Sequence, residues 1–491
     1  MIGSTRAQRP AASLATGWSR LRKGFKRHWR QALGDASIYN GVGRRPLIST
    51  RKTVHISMLL FALLLPFLTW AEAAGVALLA LLFNLFILPR LELDLGKQAA
   101  GASGESVPAQ WTGIVAYPVS VLVLILLFGR RMEVVGAVWA IMALGDGFAS
   151  VAGESLRGPA LPWNRGKRWS GFAAFIAAGT LGSYALARWI SPSLPELKVL
   201  LACVATATVG AVVETLPMAL DDNISVPLIC GGFMYCALLI EWSAFESNLP
   251  YLGVRVLLAV GISAVFALAA LALRVVNRSG AAMGFLMGAA IYMGYGYKTF
   301  LVLLAFFVLG SMATRLGYSR KAARGVAEER RGARSWREAL ANTLAAAFFS
   351  VLVITTHYEA AFLAALIAAL AEAAGDTISS EIGQWLSGRA YMVTTFRPVP
   401  AGLDGGVSLV GTVAGMGASA AIVAVGYALG LCRPGVAVVA FIAAGAGNLL
   451  DSYLGATIER RGLVGNGIVN FAGTSFAGGL ALGLLLALHL V

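Results

Sequence analysis

The chain has 491 residues, of which 58% are hydrophobic and only 13% charged, with a net charge of +15 and a mean hydropathy of +0.75. A soluble protein of this length has no means of covering so much apolar surface, so a soluble enzyme is excluded and an all-α, polytopic transmembrane protein is expected. Residues 1–50 read as a basic cytoplasmic tail: up to Lys52, twelve Lys and Arg stand against a single acid, Asp35. Its place beside the first apolar run suits anionic lipid headgroups better than nucleic acid. It lacks the short apolar core of a secretory leader and is not expected to be one.

A helix needs about 20 apolar residues to cross hydrocarbon. Such runs recur from Val54 onward, and the pattern predicts roughly 15 spans, near 54–70, 73–89, 111–128, 133–152, 171–190, 197–216, 226–241, 252–274, 280–294, 298–313, 338–355, 359–375, 408–430, 435–456 and 468–490. Ala, Leu and 57 glycines dominate them, which favours packed helices over strands. A second basic cluster runs from Arg315 through Arg320, Lys321, Arg324, Arg330, Arg331 and Arg334 to Arg337. The positive-inside rule places it and the tail in the cytoplasm. Threading then brings loops 155–170, 217–225, 314–337, 385–407 and 457–467 to that same side. Cys203, Cys230, Cys236 and Cys432 lie in apolar stretches without C-x-x-C spacing and read as small hydrophobes.

Three polar groups are expected to meet on the cytoplasmic side of residues 51–275. R-K-T-V-H occupies 51–55, and Asp146 is followed by the cationic loop P-W-N-R-G-K-R-W-S-G at 162–171. The third is V-V-E-T-L-P-M-A-L-D-D-N-I-S-V-P-L at 212–228, with Glu214 inside a span and Asp221, Asp222 and Asn223 at its edge. Ionisable groups at membrane depth are costly and therefore suggest function. Acids able to hold Mg2+ opposite Lys and Arg able to hold phosphate are what phosphoryl transfer requires. Taken singly, Arg51 and Lys52 also read as topology signals, and Asp221 or Asp222 as a helix cap. Neither a P-loop nor a protein-kinase motif set occurs.

Residues 276–491 repeat this logic. A-L-G-D-G-F-A-S-V-A-G-E at 143–154 and A-A-G-D-T-I-S-S-E-I-G-Q at 373–384 share Ala, Gly, Asp, Ser and Gly at a constant offset of 230 residues, which suggests two tandem, distantly related halves. In the second half Asp376 and Glu381 precede a loop carrying Arg389, Arg397, the pair Gly405 and Gly406, and Ser408. The backbone of such a turn entering a helix is able to cradle an anion. Asp451 follows inside a later span, and Asn466 and Asn470 stand at the start of the last one.

The segments G-D-G-F-A-S-V-A-G, P-W-N-R-G-K-R-W-S-G and V-E-T-L-P with L-D-D-N-I-S-V-P-L resemble the phytol kinase branch of the dolichol kinase and CDP-diacylglycerol synthase superfamily. A-G-D-T-I-S-S-E-I-G, T-T-F-R-P-V-P-A-G-L-D-G-G-V-S and L-L-D-S-Y-L-G-A-T resemble the phytyl-phosphate kinase family of integral membrane proteins. Two departures stand out: Arg168 follows the loop lysine where the first family commonly has Ser or Thr, and Gly467 stands where the second is expected to have an acid.

Together the resemblances imply a bifunctional membrane kinase, with a prenol kinase-like domain at 51–275 and a prenyl-phosphate kinase-like domain at 276–491. It would phosphorylate a prenyl alcohol and then its monophosphate, using Mg2+ and a nucleoside triphosphate such as CTP. On that reading Asp146, Glu214, Asp376 and Glu381 are catalytic. Arg165, Lys167, Arg397, Gly405, Gly406 and Ser408 bind phosphate, and Asp221, Asp222, Asn223 and Asp451 bind metal. A secondary transporter with repeated halves and a CDP-lipid-forming cytidylyltransferase are the alternatives.

Overall fold

The computed structural model describes residues 56–87, 107–156, 158–327 and 333–490; the basic tail, the R-K-T-V-H segment, Arg330 and Arg331 lie outside them. Among the described residues, 12 helices are long and apolar enough to cross a membrane. The protein is all-α and multi-pass. In chain order its long helices are α1 (Trp70–Ile87), α2 (Val107–Phe128), α3 (Met132–Ser155), α4 (Trp169–Ile190), α5 (Glu196–Thr215), α6 (Asp222–Leu239) and α7 (Trp242–Ala272). They continue with α8 (Arg278–Tyr295), α9 (Tyr297–Arg315), α10 (Trp336–Thr355), α11 (Glu359–Leu386), α12 (Leu409–Ala428), α13 (Pro434–Glu459) and α14 (Asn466–Ala487).

Three expected spans come out differently. The run 111–128 is helical, as α2, but its described apolar part, Val115–Phe128, is shorter than a span. Residues 54–70 form no continuous helix: the short turn Leu59–Ala62 gives way to a 3-10 turn at Leu65–Phe67. Pro66 has no N–H with which to continue a helix, and Thr69 then opens α1 through a capping box with Glu72. The stretch 280–294 is helical, as α8, and stops at Gly296 with φ +72°. It is not among the 12 span-grade helices. The loop 385–407 also carries structure. Arg389–Met392 (β1), Pro398–Pro400 (β2) and Gly406–Val407 (β3) form an antiparallel sheet in the order β2-β1-β3. The two prolines of β2 are tolerated because it is an edge strand.

Two hydrophobic cores hold the helices. The first gathers residues such as Leu124, Ile141, Phe175 and Met234; the second gathers Ile291, Phe362, Leu366, Ile422 and Leu485. Helix α6 serves both, with Met234 in the first and Cys236 and Leu239 in the second. Phe233 of α6 stacks on Phe348 of α10 at 5.6 Å. Helix α7 packs against α8 and α10, so its contacts lie with the second core.

The Gly-Asp copies sit on the most buried helix of each half. The apolar window of α3 is 72% buried and that of α11 83%. Small residues all round these helices permit neighbours on every side, which is the pattern of a central helix. Each is crossed closely by the helix that follows. A Cβ on Gly171 of α4 would lie 2.8 Å from the carbonyl oxygen of Ala149, and one on Gly411 of α12 would lie 2.5 Å from that of Ser379. Gly153 and Gly383 back these two contacts; they and the contacted residues Ala149 and Ser379 keep the offset of 230 residues, while Gly171 and Gly411 stand 240 apart.

The five polar loops meet at one end of the bundle. Asn164 Nδ2 donates to the Thr215 carbonyl at 3.1 Å, and the Ala219 N–H to the Leu463 carbonyl at 3.0 Å. Arg324 Nη1 donates to the Ser387 carbonyl at 3.0 Å, while Arg460 reaches Met392 Sδ at 4.0 Å.

Candidate active site

The first site assembles around Lys167. The segment bearing it is pinned on both sides: Leu161 N–H donates to the Lys167 carbonyl at 2.9 Å, Lys167 N–H to the Asn164 carbonyl at 3.0 Å, and the Trp163 indole to the Thr215 hydroxyl at 3.2 Å. Lys167 Nζ then bonds the carboxylate of Glu214, one residue before the end of α5 and only 5% exposed. Asp222, the first residue of α6, stands 4.0 Å from the same ammonium. Asp146 enters from α3, where a π-turn at Ile141–Gly145 immediately precedes it. Such wide turns often mark functional positions. Its charge acts on Lys167, Glu214 and Asp222 alike. Burial alone would lower the Lys167 pKa, but the three carboxylates outweigh it and the net direction is upward. The lysine therefore stays charged through the neutral range.

Asp221 and Asn223 do not join this group. Asp221 is the N-cap of α6, and its Oδ1 accepts from the Asn223 N–H at 2.9 Å and the Asn223 amide at 2.8 Å. This is the capping geometry that such a residue pair favours at a helix start. Arg165 is exposed, and Arg168 donates to the Gly158 carbonyl at 2.9 Å.

The second site lies between α11, α13 and α14. The carboxyl groups of Asp376 and Asp451 come within hydrogen-bonding reach of each other. Glu372, one turn earlier on α11 and 1% exposed, faces both. Toward the loops, Glu459 accepts a hydrogen bond from Asn466 and is acted on by the charges of Asp404 and Asp376. Sequence reasoning missed Glu372 and Glu459. Their signal was helical spacing, four residues before Asp376 and eight after Asp451, which places them on the same helix faces.

Three expectations for this half are corrected. Glu381 is turned away from the acid group: it pairs with Lys321, a fully buried lysine that also donates to the Thr314 carbonyl at 2.9 Å. The Gly405–Gly406 turn is not an open anion cradle. The Gly406 N–H donates to the Leu403 carbonyl at 2.8 Å, and Gly405, at φ +73°, presses against Ala456 of α13 where no side chain would fit. The Ser408 hydroxyl accepts from the Gly411 N–H at 3.1 Å as the N-cap of α12. Arg397 remains exposed beside this turn.

Among the described residues, no three His, Cys, Asp or Glu side chains converge closely enough to enclose a metal by themselves. Mg2+ asks for less, since it is commonly held by one or two carboxylates together with phosphate oxygens and water. Asp222 beside Lys167, and Asp376 with Asp451, are the carboxylates placed for that.

Residues 261–486 match the family model described as integral membrane protein DUF92. The chain is 32% identical over 201 residues to an uncharacterized membrane protein of Synechocystis, covering 78% of it. It is 34% identical over 227 residues to one of Methanocaldococcus jannaschii, covering 92% of it. Protein VTE6 of Arabidopsis thaliana is 36% identical over 187 residues, 37% of this chain and 56% of that protein. A probable phytol kinase of Glycine max is 33% identical over 145 residues, 28% of this chain and 46% of that protein. No solved structure matches. The chain belongs to the DUF92 family of integral membrane proteins and carries a region similar to probable phytol kinases.

Proposed function

We propose that the protein is a prenyl-lipid kinase acting at the cytoplasmic face, phosphorylating a prenyl alcohol at the first site and the resulting monophosphate at the second. The observation that carries this reading is the convergence of Asp146, Glu214 and Asp222 on Lys167 at the loop end of the bundle. A fixed ammonium beside carboxylates suits a nucleoside triphosphate bound through Mg2+, the donor most consistent with the family resemblance being CTP. Bound Mg2+ would neutralise phosphate charge, held by Asp222 in the first half and by Asp376 and Asp451 in the second. The positive-inside rule supports a cytoplasmic side for the basic loops, the side on which nucleotide is found.

At the first site the alcohol oxygen forms a bond to the γ-phosphorus while the bond to the β,γ-bridging oxygen breaks. The hydroxyl proton has to leave, and Asp146 is the acceptor this arrangement offers. Glu214 acts through Lys167, holding the ammonium against the transferred charge. At the second site the acceptor is a phosphate monoester, already anionic near neutral pH, so no base is needed. An apolar prenyl tail remains among the helices while the headgroup meets the loops.

The test is to incubate purified protein with γ-labelled CTP, ATP or GTP and with phytol, geranylgeraniol or a longer polyprenol, and to resolve the lipid products. Labelled monophosphate followed by diphosphate is the expected result. Absence of label in lipid with every donor, while the protein remains folded, would overturn the reading.

A further inference from the structure

Glu372 is a carboxylate deep inside the protein. It lies 14 residues before the end of α11, which at about 1.5 Å per residue is roughly 20 Å from the loop end. Neither of its oxygens receives a hydrogen bond from any protein group. The space around it is shaped for it. A Cβ on Gly447 of α13 would lie 2.7 Å from Glu372 Cγ, and one on Gly473 of α14 would strike Glu372 Oε1 while lying 3.4 Å from Asp451 Cβ. Two neighbouring helices thus forgo a side chain where this carboxylate enters.

Two further observations concern its surroundings. Asp451 Oδ2 is buried and also unpartnered. One turn before Gly473 on α14, Asn470 donates its amide to Asn342 Oδ1 at 3.2 Å, which leaves its own buried carbonyl oxygen without a donor. Glu372 and Asp451 therefore bring three unpartnered carboxylate oxygens to Gly473, and the unpartnered Asn470 oxygen stands one turn earlier on the same helix. Leaving such groups uncompensated costs several kcal/mol each in a low-dielectric interior. A cation is the partner that this donor set calls for.

We propose that Glu372 and Asp451, assisted by the Asn470 carbonyl, form a buried site for a hard divalent cation beneath Asp376. Two carboxylates, one amide oxygen and water are a reasonable set for Mg2+ or Mn2+. The site shares Asp451 with the second site of the kinase reading, but it is filled by metal alone and its test needs neither nucleotide nor lipid.

The experiment uses full-length protein in detergent, titrated with Mn2+ and followed by electron paramagnetic resonance, which separates bound from free ion. Wild type should bind Mn2+ without nucleotide. Glu372→Gln keeps the shape and removes the charge, and should lose one bound Mn2+ per chain. Gly473→Ala, which fills the slot, should do the same. Asp222→Asn in the other half should leave this ion in place. An unchanged number and affinity of bound ions in Glu372→Gln overturns the proposal, as does a wild type that binds none. Should Glu372→Gln fail to fold, Asn470→Ala is the deciding variant. Its affinity is expected to fall by about tenfold, and an unchanged affinity refutes the site. Lack of kinase activity with normal Mn2+ binding would count against the proposed reaction and not against this site.

Discussion

Lys167 and Lys321 show how one residue type takes two roles in the same protein. Lys321 is sealed inside with Glu381 and backbone carbonyls, which makes it a clamp between a connecting loop and α11. Lys167 is a little over one-third exposed and has three carboxylates around it, which leaves it able to meet a ligand. Asp146→Asn is expected to cut alcohol phosphorylation by about 10²- to 10⁴-fold, the usual worth of a positioned base. Phosphorylation of added monophosphate should stay normal, and product analysis with each substrate separately reads this directly. Asp376→Asn should instead let monophosphate accumulate from alcohol; equal loss of both steps would mean a single composite site. Asp146 and Asp376 were legible because a charge stands out in an apolar helix. The division of labour between Asp221 and Asp222 was not, since adjacent residues at a helix start are separated only by the cap geometry. Glu381 misled for another reason: its partner lies 60 residues away in a basic loop, and spacing along one chain does not reveal such a pair.

Among the helices, apolar length foretold most of the spans, and Gly/Ala content foretold close packing. It overcounted where a proline and a capping box divide one run, at Pro66 and Thr69. The sheet at 389–407 was hidden because its strands are two to four residues long, too short for an alternating pattern to register. The crossing of α11 and α12 offers a direct test of packing. Gly411→Ala would place a methyl 2.5 Å from a backbone carbonyl that has no room to yield. The variant should lose about 1–3 kcal/mol, the ordinary cost of overpacking, seen as a lower thermal midpoint in detergent. Gly417 on the same helix has nothing within 4 Å of an added Cβ. Gly417→Ala should therefore be neutral or gain up to about 1 kcal/mol from helix propensity, and an equal loss in both variants would remove the crossing as the cause.

For the whole molecule, the loop contacts bring together the five segments that the charge pattern assigned to one side. Sidedness itself is a matter for labelling. Gly166 and Thr395 are exposed in two of these loops. In a chain whose native cysteines are replaced, Gly166→Cys and Thr395→Cys should each react with an impermeant thiol reagent only in inside-out vesicles. Reaction from the outer face at either position would reverse the orientation and take the nucleotide argument with it. The paired crossings at Gly171 and Gly411 bear, finally, on what each central helix tolerates. Against lipid, Leu, Val, Ile and Phe are nearly interchangeable, whereas at both crossings only the smallest residue fits between two backbones. The latitude for substitution is therefore narrowest where a side chain is missing, and those places lie against the two helices that carry Asp146 and Asp376.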